Sequence, residues 1–212
     1  MTHPTHLPLP SRSARRQPGV RPETIVPHPG TIQLGQEISA AQARKIAEQQ
    51  ARDELIRRLG IPTSPDRLMD ECARHLAELT GMLYGFVNIF LGEQTFVGLH
   101  NPPPDSGHLI VPRTMRLDHG WCPAVMERRK ALPLPDVHAS PRFSGNYVAD
   151  AVGIRSYFGS PLIHGETGIA LGTVCTIDPE ARALSDARRL LDAVKASGAE
   201  ILHALTSGAP AH

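Results

Sequence analysis

Residues 117–178 read LDHGWCPAVMERRKALPLPDVHASPRFSGNYVADAVGIRSYFGSPLIHGETGIALGTVCTID, and their pattern decides the fold. Trp121-Cys122 opens a short amphipathic helix that also carries Val125 and Met126, with Asp118 as its expected cap. Leu132–Leu134 reads as a short strand. Residues 136–146 form an irregular stretch, and Tyr147–Val152 makes one or two helical turns. Two β-rich arms follow, Tyr157–Ile163 and Ile169–Ile177. Between them lies His164-Gly165-Glu166-Thr167-Gly168, a Gly-rich loop of hairpin length. Asp178-Pro179 ends the second arm.

Working upstream, Leu83–Leu91 is apolar on both faces, as a central strand is. Gly92-Glu93-Gln94 turns the chain and Thr95–His100 returns beside it. The proline-rich loop 101–107 follows, and Arg113–Leu117 is a further strand. Before these strands, Ser64 is positioned to cap a helix whose apolar stripe is Leu68, Met69, Cys72, Leu76 and Leu79. Ile46, Ala47, Ala51, Leu55 and Leu59 mark a thinner stripe on an earlier helix. Downstream, Ser185 opens a final helix. There Leu184, Ala187, Leu191, Val194, Gly198, Ile201 and Leu205 step by three and four. That stripe suits two partners. One is the chain's own sheet. The other is the same helix of a second chain, which would make Leu184, Leu191, Val194, Ile201 and Leu205 the seam of a homodimer. Hairpin-linked strands with helices at both ends predict an α+β fold around an antiparallel sheet. The expected organisation is a disordered Pro/Arg-rich tail (1–36), a linker helix (37–60), a folded domain (64–206) and a flexible C-terminus (207–212).

Composition narrows the function classes. The 212 residues carry 22 basic and 21 acidic side chains, so nothing global favours nucleic acid. No apolar run approaches a membrane span, and the N-terminus lacks a secretory leader's apolar core. Three cysteines at irregular spacing make no disulfide framework. The expectation is a soluble cytoplasmic protein.

Taken in order, Trp121-Cys122, Leu132-Pro133-Leu134-Pro135-Asp136, Ser140-Pro141-Arg142-Phe143, Ile154-Arg155-Ser156-Tyr157, Ser160-Pro161-Leu162 and Gly168 to Asp178 resemble the GAF domain family. These are small-molecule sensory modules of bacterial signalling proteins. With its weaker upstream part the resemblance covers residues 64–205. It implies a GAF-like sheet of five or six strands, with the N- and C-terminal helices on one face. A pocket would lie on the other face, under residues 101–155. It further implies a regulatory protein without catalysis or an output domain of its own, acting through dimerisation or a signalling partner. Candidate pocket residues are Trp121, Cys122, Asp136, Phe143, Tyr157, Ser160 and Thr173, with Arg155 and Thr176 as further polar contacts. Alternation along a strand keeps Tyr157 and Ser160 from sharing a face. A structural role for Asp136, Arg142, Phe143 and Asp178 competes with ligand contact, Asp136 and Arg142 pairing to pin the loop.

Cys122 carries the competing reading. A thiol at a helix start can be activated as a thiolate, which suits a redox sensor or a reductase; the plainer role is a small packing residue. Cys72 and Cys175 fall on core stripes, so no resolving partner is evident. Bilin attachment is disfavoured because Cys122 precedes Pro123 instead of a His. The histidines at 100, 108, 119, 138 and 164 lack paired ligand spacing, which disfavours haem and predicts no metal site. Phe143 and Asp150 lack the Asn-Lys and Glu that accompany them in cyclic-nucleotide-binding members. A structural adaptor with a collapsed pocket is the third reading.

Overall fold

The computed structural model describes residues 29–207, with side chains from Ser39 onward. Helix α1 (Pro29–Leu59) begins in one compact unit that ends at Ala41, and Gln42 onward forms the main domain. Residues 29–36 were expected in the tail and instead belong to α1. Proline suits a first helical position because that N–H has no intrahelical acceptor. The rest of the expected tail, 1–28, lies outside the described residues, as does 208–212.

The main domain continues through α2 (Arg67–Thr80), β1 (Tyr84–Phe90), β2 (Gln94–His100), β3 (Thr114–Met115), α3 (Cys122–Arg128) and β4 (Leu132–Leu134). After a 3-10 turn come α4 (Pro141–Ser144), α5 (Tyr147–Val152), β5 (Ser156–Ile163), β6 (Ala170–Asp178) and α6 (Ala187–Thr206). The six strands form one sheet in the order β3-β2-β1-β6-β5-β4, every neighbouring pair antiparallel. No helix among the described residues is long and apolar enough to cross a membrane.

Three caps differ from the sequence reading. Asp66, not Ser64, caps α2, its carboxylate accepting from the Met69 N–H at 3.0 Å. A 3-10 turn over Leu184–Asp186 precedes α6, so Ser185 caps nothing. Asp118 does not cap α3; it pairs with Arg116 at 2.8 Å, and Trp121 holds the cap position without a side-chain bond.

One sheet face carries the helices. Leu55 and Ile56 of α1, Met69 and Leu76 of α2, and Leu190 and Val194 of α6 bury against Val87, Val97, Phe158 and Val174. Isolated helices of this length are marginal, and this burial holds them. It also settles where most of the 184–205 stripe goes. Val194, Ile201 and Leu205 are buried on the chain's own sheet, and Leu191 is half-buried beside them. Buried there, Val194, Ile201 and Leu205 are not free to contact a second chain. Leu184 is 81% exposed and stands outside α6. Two glycines let α2 approach closely: a Cβ on Gly85 would sit 2.0 Å from the Ala73 carbonyl oxygen, and one on Gly98 2.2 Å from that of Met69.

Candidate functional site

The opposite face of the sheet bears a second apolar cluster. Phe86, Phe96, Tyr157, Cys175 and Ile177 point into it because alternate strand residues share a face. Over this floor the chain builds two walls. Asn101 clasps Val111, its amide donating to the Val111 carbonyl and accepting from the Val111 N–H, both at 3.0 Å. The Tyr84 hydroxyl donates to the Leu109 carbonyl at 2.9 Å. These bonds hold residues 109–112 as one wall. Asn146 secures the other. It caps α5 by accepting from Val148 N–H at 3.0 Å and donates to the Gly120 carbonyl at 2.8 Å, tying α5 to the entrance of α3.

Between floor and walls lies a cavity of about 470 Å³, within the range of small-ligand sites. Its lining is mainly apolar. The exposed lining residues Leu109, Ile110 and Tyr147 mark the mouth, where His119 stacks on Tyr147 with ring centroids 4.8 Å apart. Its main polar side chains already have partners. Gln94 is buried and donates to the carbonyls of Arg116 and His119 at 2.6 and 2.8 Å, while accepting from Asn88 at 2.9 Å. Arg116 pairs with Asp118.

Of the seven pocket candidates, Trp121, Cys122 and Tyr157 line this cavity. The Trp121 indole N–H donates to the Phe143 carbonyl at 3.1 Å, so Phe143 positions the tryptophan and does not line the cavity. Thr173 is fully buried on the same side as Cys122, with no partner for its hydroxyl. Ser160 is on the helix face, its Oγ 3.9 Å from where a Gly198 Cβ would stand. Asp136 is outside the cavity. It pairs with Arg155 at 2.7 Å, not with Arg142, and caps the 3-10 turn through the His138 N–H at 3.0 Å. Arg142 instead lies over the Phe143 ring, 5.4 Å from its centroid. Thr176, on the helix side, donates to the Met82 sulfur. Among the described residues no group of three His, Cys, Asp or Glu converges as a metal site.

The sequence reading missed the setting of Cys122. Its Sγ is 3.5 Å from Cys175 Sγ and 3.4 Å from the Tyr157 hydroxyl. The hydrogen bond with Cys175 is the main cause that lowers the Cys122 thiol to about 7, against burial, with Thr173, Tyr157 and Asn88 assisting. Cys175 moves the other way, well above the ordinary thiol range, because its hydrogen bond with Cys122 and then its burial favour the neutral thiol, and a charge on Cys122 beside it adds to both. The main activating influence is thus a neighbouring thiol, where the sequence pointed to the helix start. Two signals pointed to the missed polar groups: Asn88 interrupts the apolar run YGFVNIF, and Gln94 opens β2.

A six-stranded antiparallel sheet with helices against one face and a walled cavity on the other defines a cavity-bearing α+β domain. The GAF domain model matches residues 64–197, and the chain belongs to that family, a fold of sensory and regulatory proteins. Solved structures similar to it include the Neisseria meningitidis free methionine-R-sulfoxide reductase in complex with its substrate (15% identity, 77% of this chain and 92% of that one, TM-score 0.49). The GAF domain of an Acinetobacter phosphoenolpyruvate-protein phosphotransferase is another (13%, 80% and 98%, TM-score 0.47). The A. aeolicus nlh2 GAF domain in an inactive state is a third (14%, 76% and 98%, TM-score 0.49). No curated protein matches the chain in sequence.

Proposed function

We propose that this domain senses a small, uncharged, largely apolar molecule in the cavity and acts by binding, without catalysis. The observation that supports this is the lining: aromatic and aliphatic side chains surround about 470 Å³, and Gln94 and Arg116 already have partners. A charged ligand would lose its hydration there with little compensation. Occupancy reaches the helix layer through β6. Cys175 and Ile177 face the cavity, while Val174 faces α6, lying 3.4 Å from a notional Gly198 Cβ. A ligand biases this arrangement only by its differential affinity for two packings. The output passes to a signalling partner, a second copy of the chain included.

Trp121 supplies the test, because it is the chain's single tryptophan and lines the cavity. Titration with toluene, p-cresol and cyclohexanol should change its emission saturably, with benzoate at least about tenfold weaker than p-cresol. A saturating ligand at 100 times its Kd should add about 2.7 kcal/mol of stability and slow hydrogen exchange in α6. Equal responses to benzoate and p-cresol, or unchanged α6 exchange at saturation, would overturn the reading.

A further inference from the structure

We propose that Cys122 and Cys175 form a reversible disulfide on the cavity floor, made by a hydroperoxide that enters through the cavity. The geometry is that of a pair already in contact. The two sulfurs stand 3.5 Å apart, one at the first residue of α3 and the other in mid-β6, so closing to a bond of about 2.0 Å needs little motion. Both side chains are buried, and both line the cavity, which is therefore their route to solvent. Cys72 lies apart, on the opposite side of the sheet among the helices.

The surrounding groups supply a path for electrons and protons. The Cys122 thiolate attacks the distal peroxide oxygen, the O–O bond breaks, and the leaving alkoxide or hydroxide takes a proton to become alcohol or water. Cys122 is then a sulfenic acid. The Cys175 sulfur attacks that sulfur, the S–O bond breaks, and the departing hydroxide leaves as water with the Cys175 proton. In total two thiols are oxidised by two electrons and one hydroperoxide is reduced. Tyr157, whose hydroxyl is 3.4 Å from Cys122 Sγ, and the unpartnered buried hydroxyl of Thr173 stabilise the attacking thiolate. Thiolate supply sets the pace, so the rate should rise roughly tenfold per pH unit below 7 and level off above it. The bond would close a loop spanning 53 positions and fix the start of α3 to β6, holding one wall of the cavity to its floor. This chemistry requires no bound ligand, so it stands or falls separately from sensing.

The full reduced chain is treated with hydrogen peroxide, alkylated under denaturing conditions with iodoacetamide, digested with trypsin and read by mass spectrometry. The expected product joins Leu117–Arg128 to Ser156–Arg182 with the loss of two hydrogens, returns to two alkylated peptides with dithiothreitol, and leaves Cys72 alkylated. In Cys175→Ser the same treatment should leave a sulfenic acid at Cys122 that dimedone traps. Full alkylation of both cysteines after peroxide would overturn the proposal, and so would a sulfinic acid at Cys122 or a linkage through Cys72. If Cys175→Ser does not fold, the wild-type peptide map and its pH profile decide.

Discussion

Gly98→Ala is expected to lower the unfolding free energy by about 2–3 kcal/mol, although it adds one methyl group. The new Cβ would meet the Met69 carbonyl oxygen at 2.2 Å and its carbonyl carbon at 2.6 Å. Both are backbone atoms of α2, so no rotamer change relieves the contact, and the helix must lift from β2. Lifting α2 also pulls Met69 and Leu76 from the core they share with Val97. Gly85→Ala meets the Ala73 carbonyl in the same way from β1. Gly92 supplies the control, because a Cβ there meets nothing within 4 Å and Gly92 is not among the positive-φ glycines. Gly92→Ala should leave the urea midpoint close to the parent's, while Gly98→Ala should lower it at unchanged slope. Equal midpoints for the two variants would show that α2 is not held against the strands by glycine.

Asp178→Ala is expected to cost about 3 kcal/mol for a different reason. The Asp178 side chain is 7% exposed, accepts two hydrogen bonds, from the Leu83 N–H at 2.9 Å and from the Glu180 N–H at 2.8 Å, and forms an ion pair with the Arg182 guanidinium at 2.7 Å. It therefore fastens the entry of β1 to the exit of β6. Alanine leaves the half-buried Arg182, whose Nε already has no partner, beside an unpaired amide. Asn keeps an acceptor and should recover about half of the loss. Chemical denaturation measures both, and hydrogen exchange at Leu83 should quicken in the alanine variant. A loss below about 1 kcal/mol would place Asp178 among the surface ion pairs that add little.

Most of the architecture was legible because it rests on local pattern. The alternation of β5, the two-sided apolarity of β1 and the bounds of α5 each follow from consecutive residues. What local pattern does not carry is register. Cys175 opposes Phe86 across β1 and β6, and that pairing, set by the sheet, turns its sulfur toward Cys122. Nothing near either cysteine announces the other. The stripe on α6 was visible, but its partner was not: the same spacing suits a sheet or another helix, and only the presence of Val174 and Phe158 beneath it decides. Asp136 shows a further limit, since the sequence pointed to the nearby Arg142 as its partner, whereas the fold brings Arg155, 19 positions away, to it.

The paired state of Gln94 and Arg116 bears on how the cavity chooses its guest. With those groups engaged elsewhere, discrimination falls to the energy of shedding water. Affinities across a homologous set of alcohols should then rise in step with their preference for octanol over water until the chamber is full, and drop once a longer chain no longer fits. The site would work as a filter on wetness and length, tolerant of chemical detail.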